Sequence, residues 1–168
     1  MNQVHVHLFI THLPIFGSLL GTLVLIHALW AKSNPTKIAA YNIFILSALG
    51  AGVAYFTGEG AEEAVEHLAG VIRRTIHEHE EFAFIALISM IVLGLASIMG
   101  IFLTVKKSSR IRSVALIILL LSLISFGLAI RTGYLGGKIR HTETEAIPAA
   151  QEQGGEQEHQ DQVHEEEH

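Results

Sequence analysis

Four apolar stretches, Leu13 to Ala31, Ile38 to Thr57, Phe82 to Val105 and Ser113 to Leu135, match the length of about 20 residues that a helix needs to cross a bilayer. In hydrocarbon, backbone N–H and C=O groups must be satisfied within the segment, so such stretches fold as helices. Half of the 168 residues are hydrophobic and 16% are charged, a balance that excludes an ordinary soluble domain. The expectation is an all-α integral membrane protein, a four-helix bundle occupying residues 1–142. The lipid bilayer is its first partner, and nucleic acid is not expected to be one.

The polar connections set the expected orientation. WAKSNPTK, between the first two stretches, carries Lys32 and Lys37 and no acid. KKSSRIR, between the third and fourth, carries Lys106, Lys107, Arg110 and Arg112, again with no acid. Short cationic loops stay on the cytoplasmic side, so both termini and the segment 57–83 are expected outside. The acids follow the same division, since every Asp and Glu lies within 59–81 or 143–168. No cationic n-region or small-residue cleavage motif marks a signal peptide, so the first stretch is expected to remain in the mature chain.

Small residues recur at packing intervals in Gly17 and Gly21, Ala48 and Gly52, Ala96 and Gly100, and Gly133 and Gly137. Such spacing lets helix backbones approach closely. From Ala61 to Arg74 the pattern predicts an amphipathic helix on the outer surface, with Glu63 and His67 on one face. Residues 143–168 hold nine acids, no Lys or Arg and a Gly-Gly pair, which reads as a disordered acidic tail carrying His159, His164 and His168.

The chemistry-bearing side chains concentrate at the outer end. His12 opens the first span, His79 the third, and His141 follows the fourth. On the third helix His79 shares a stripe with Phe82, Ala83, Ala86 and Met90, whereas His77 lines up with Glu80 and Glu81. Arg131, Tyr134, Lys138 and His141 recur on the fourth helix at three to four residues. Arg131 sits near the edge of the apolar zone, where a charge requires a partner such as Glu59, a lipid phosphate or an anionic cofactor group, or a snorkelling conformation.

With no cysteine there is no disulfide, thiolate-ligated cluster or covalent c-type haem in this chain. Two imidazoles from different helices can clamp a haem iron, with Arg131, Lys138 or Arg140 near its propionates. Alternatively His12, His79, His67 and His77, with Glu59 and Glu63, could hold zinc or copper. Position 81, following His77 and Glu78, is Glu, so within residues 1–142 there is no HExxH motif and no Glu-x-x-His pair of the di-iron type. A hydrolytic zinc enzyme is therefore not expected.

VHVHLFITHLPI at the N-terminus, Thr57-Gly58-Glu59, the His at the start of span three and GYLGGKIRH at the end of span four resemble the bacterial four-span membrane family catalogued as domain of unknown function 2231. The resemblance covers residues 1–142. It departs at Leu13, where the family usually has Phe, after Thr57-Gly58, where an Asp more often follows a little further on, and at Thr142, where Gly is common. It implies an inner-membrane domain with a histidine-rich outer face and a link to electron transfer, since the domain occurs beside cytochrome c modules. The positions it carries over are His12, Glu59, His79, Gly136, Gly137 and His141.

Together these features lead to a redox subunit rather than a stand-alone enzyme. The expectation is a b-type haem with His12 and His79 as axial ligands, His141 and Arg131 nearby, and a cytochrome c or other redox protein as electron partner. Zinc or copper handling and a purely structural role are the alternatives.

The orientation is open to direct measurement, because single cysteines can be introduced into a cysteine-free chain. A membrane-impermeant thiol reagent applied outside intact cells is expected to label a cysteine at Thr142 and not one at Ser109. Labelling of Ser109→Cys would reverse the assignment.

Overall fold

The computed structural model describes residues 9–63 and 73–165, with side chains placed for 9–58, 74 and 76–138. The described residues form four long helices: α1 His12–Trp30, α2 Asn34–Glu63, α3 Arg73–Val105 and α4 Ile111–Glu165. No strand occurs among the described residues. Each helix contains a segment long and apolar enough to span a bilayer: His12–Trp30, Asn34–Gly58, Ile76–Val105 and Ile111–Lys138. The protein is a multi-pass, all-α membrane bundle.

The two tight turns are built alike, and both are stabilised by the backbone itself. At the end of α1 the Ser33 N–H donates to the Ala28 carbonyl at 3.0 Å, and at the end of α3 the Ser108 N–H donates to the Leu103 carbonyl at 3.1 Å. Such six-residue closures satisfy carbonyls that the helix end leaves open. They require a left-handed residue, supplied by Lys32 (φ 51°) and Lys107 (φ 52°), where glycine would adopt the conformation without steric cost. Ser33 then caps the next helix, its hydroxyl accepting from the Thr36 N–H at 3.3 Å. Pro35, at the first turn of α2, has no N–H to leave unsatisfied.

Each helix packs on its sequence neighbours, and α1 packs on α4, closing a four-membered ring. The register is antiparallel throughout. Gly17 meets Ser47 and Gly21 meets Phe44 between α1 and α2, Gly94 meets Ala48 between α2 and α3, Gly100 meets Ile118 between α3 and α4, and Gly133 meets Ile15 between α4 and α1. At Gly21 the absence of a side chain is what admits the partner, since a Cβ there would stand 2.5 Å from the Phe44 ring. The expected small-residue pairs are thus only partly used for packing, because a Cβ at Gly52 or Gly137 would meet nothing within 4 Å.

The distribution of side chains suits a lipid environment. Leu20, Leu49, Leu95, Ile98, Ile117 and Leu120 are all more than half exposed, while Ser18, Thr22, Ser47, Ser97, Ser122 and Ser125 are buried among Leu25, Phe44, Met90, Leu93 and Ile118. Hydrocarbon surrounds the large apolar groups as readily as protein does, so the interior is left to small and hydroxylic residues that allow close helix approach. Several of these hydroxyls are used locally: Ser18 donates to the Pro14 carbonyl at 2.6 Å, and Thr22 to the Ser18 carbonyl at 2.7 Å, whereas the Ser97 hydroxyl has no partner among the described residues. Thr22 and Ser122 also lie 2.9 Å apart, a polar tie between α1 and α4.

Two outer segments complete the comparison with the sequence. The surface helix expected over Ala61 to Arg74 lies mostly outside the described residues, with α2 ending at Glu63 and α3 beginning at Arg73. The stretch from 143, expected to be disordered, has helical backbone as far as Glu165. Ala, Glu and Gln are good helix formers, and extension from an existing helix needs no new nucleus.

Close approach of α1 and α2 predicts that Gly21→Ala destabilises the bundle by about 1–3 kcal/mol through overpacking. Gly127→Ala, whose Cβ would meet nothing within 4 Å, should leave stability unchanged or raise it by up to about 1 kcal/mol through helix propensity. Equilibrium unfolding in mixed micelles measures both, and equal effects would contradict the packing.

Candidate functional site

The antiparallel ring brings the first turns of α1 and α3 to the same level of α4. Ile15 of α1 lies against Gly133, and His79 of α3 lies against Gly136, where an added Cβ would stand 3.2 Å from the imidazole Cε1. Counting outward from the tight turn at 106–110 leads to this register, since residues equidistant from the turn face each other. The rim opposite the tight turns therefore contains the starts of α1 and α3, the end of the α2 span and residues 131–138 of α4.

His79 is half-buried. Its Nδ1 lies 3.0 Å from the carbonyl oxygen of Thr132 on α4. A carbonyl oxygen can only accept, so Nδ1–H is the donor, and in the neutral ring the basic lone pair is on Nε2. The same bond couples two helices, whereas the Thr132 hydroxyl donates within α4 to the Leu128 carbonyl at 3.0 Å. An Nδ1–H bound to a backbone carbonyl is how metal-ligating histidines are commonly oriented. On α3, His79 begins the inward stripe that continues through half-buried Phe82 and Ala83 to buried Ala86 and Met90.

The other histidines are placed differently. His12 is exposed, its ring lying nearly parallel to Phe16 on the same helix, with centroids 6.0 Å apart and an interplanar angle of 10°. His77 is also exposed, with ring nitrogens 3.7 Å from Glu80 and 3.5 Å from Glu81. Ion pairs this open to solvent contribute little to stability, and the Arg74–Glu78 pair at 3.0 Å beside them is of the same kind. His141 lies on the helical backbone of α4, and Glu59 and Glu63 on that of α2, but their side chains are outside those described. His67 lies outside the described residues altogether. Among the described residues, no three His, Asp or Glu side chains come together as a metal site.

The cations of α4 have aromatic neighbours. The Arg131 guanidinium stands 5.3 Å from the Phe82 ring centroid and 5.8 Å from that of Tyr134, and the Lys138 ammonium stands 5.0 Å from the opposite neighbour on its helix, Tyr134. Attraction to ring faces of this order contributes about 0.5–1 kcal/mol per contact at exposed sites. Arg131 is thus supported by rings from α3 and α4 while its head remains exposed.

Sequence reasoning selected His79 over His77 from helical periodicity, named Gly136 through the family resemblance and placed Tyr134 beside Arg131, but did not find the Thr132 carbonyl or the Phe82 ring at Arg131. A main-chain acceptor has no residue-type signature. The approach of Phe82 to Arg131 could have been located by carrying the register outward from the tight turn. Comparison with family models, curated proteins and solved structures found no match to this chain.

Proposed function

We propose that the protein is a redox subunit of a bacterial inner membrane that holds a b-type haem at its histidine-bearing rim, with both termini on the extracytoplasmic side. The observation that carries this reading is the His79 imidazole, oriented by the Thr132 carbonyl so that Nε2 is the donor nitrogen. His12 is the second axial candidate and His141 an alternative to it. Arg131 and Lys138, on one face of α4 around Tyr134, are the groups to neutralise propionates.

The donor set fits the group. A haem iron uses one or two imidazoles, whereas structural zinc takes four protein ligands and catalytic zinc three. When bound, haem would supply one-electron transfer, with a cytochrome c or other redox protein outside as exchange partner. The chain's own part is to fix the His79 tautomer, hold the ring between α3 and α4 and place positive charge at the rim. The resemblance to the four-span family supports the same assignment.

Protein purified from cells supplied with haem is expected to show a b-type spectrum on dithionite reduction. His79→Ala should abolish it in a variant that still elutes as a folded species, and His77→Ala should not. A folded, unpigmented wild-type protein would refute the haem reading. Zinc or copper without porphyrin in elemental analysis would replace it with metal handling.

A further inference from the structure

The opposite end of the bundle carries a buried charge with no counter-ion among the described residues. Lys37 is only 6% exposed, and its Nζ is 3.0 Å from the Asn34 Oδ1, a neutral acceptor. It stands in the first turn of α2, where the positive end of the helix dipole disfavours a cation. None of the described carboxylates pairs with it, and every Asp and Glu of the sequence lies within 59–81 or 143–168. A buried cation without an anion is costly.

A second observation points to the same place. Tyr41 is fully buried and its hydroxyl has no hydrogen-bond partner. It follows Lys37 by four residues, on the same helix face, and side chains on a helix lean toward its N-terminus. Tyr41 thus stands one helical turn from Lys37 along α2. Its ring edge, Cε2 and Cζ, lies against Gly100 of α3. An unpaired O–H donor and a buried ammonium thus share one end of the bundle.

The surroundings favour an anion at the depth of lipid headgroups. Lys32, Lys106, Lys107, Arg110 and Arg112 are exposed around this end, and Lys32 and Lys107 keep lysine in a left-handed conformation that glycine would adopt more readily. Trp30, 81% exposed at the end of α1, is a residue type that settles at the headgroup layer. Asn34 is exposed and holds the ammonium at the bundle's edge, within reach of an outside oxygen.

We propose that the tight-turn end of the bundle binds the phosphate of an anionic phospholipid headgroup, with Lys37 as its buried counter-cation and the Tyr41 hydroxyl as a donor. Basic pockets between membrane helices recognise such headgroups, and phosphate accepts from both ammonium and hydroxyl donors. The site lies at the far end of the molecule from the histidine rim, so it stands or falls independently of haem binding.

The experiment uses full-length protein in nanodiscs of phosphatidylcholine, with and without 20% phosphatidylglycerol, and in detergent with inorganic phosphate. Phosphatidylglycerol is expected to raise the thermal midpoint, and Lys37→Met should lose at least half of that rise while Lys37→Arg keeps it. Tyr41→Phe, nearly isosteric, provides a second variant should Lys37→Met fail to fold, and it should also reduce the rise. A response to phosphatidylglycerol that is unchanged in Tyr41→Phe and Lys37→Met would overturn the proposal, leaving the basic end as an unspecific charged rim. An equal response to inorganic phosphate would overturn the lipid assignment.

Discussion

Hydrocarbon offers no hydrogen bonds, and that constraint governs both the shape of this protein and the location of its chemistry. Backbone groups are satisfied along each helix, and at the tight turns by closures from Ser33 to Ala28 and from Ser108 to Leu103. Large apolar side chains lose nothing by facing lipid, so Leu20, Leu49 and Leu95 point outward while serines fill the bundle. At Gly21 and Gly100 the missing Cβ admits the buried Phe44, Tyr41 and Ile118 side chains of neighbouring helices. Charge is left to the two ends.

Those ends are chemically unlike. One carries imidazoles, carboxylates and aromatic-supported cations near the starts of α1 and α3. At the other, the described side chains include Lys and Arg, one of them buried, and His27 beside Trp30, with no carboxylate among them. Antiparallel closure between α1 and α4, through Ile15 and Gly133 and through Thr22 and Ser122, keeps the two groups apart by the length of a span. A buried hydroxyl contact such as Thr22 to Ser122 contributes modestly, about 0.6 kcal/mol on average in a membrane. Its importance is in register, since sliding α1 by one turn would also move His12 relative to His79.

Much of this was legible in the sequence because the signals were long. Runs of apolar residues marked four helices, and the acid-free connections marked which ends belong together. Periodicity separated His79 from His77 without any tertiary information. The outward placement of Gly52 and Gly137 was not legible, because spacing of small residues does not say which face a neighbour occupies. Nor was the burial of Lys37, since a lysine beside a turn ordinarily reads as a topological charge. The Thr132 carbonyl was hidden for a different reason, being an acceptor that every residue type possesses. Helical backbone through the acidic stretch after 143 accords with the local propensity of its Ala, Glu and Gln residues.

The candidate site depends on one tie between α3 and α4, the His79 imidazole held by the Thr132 carbonyl. Nitrogen-15 NMR of selectively labelled histidine, assigned by loss of the signal in His79→Gln, reads the tautomer of that ring directly in protein prepared without haem. The account predicts a neutral ring protonated at Nδ1, with Nε2 as the basic nitrogen. A ring protonated at Nε2, or one averaging between tautomers, would contradict it.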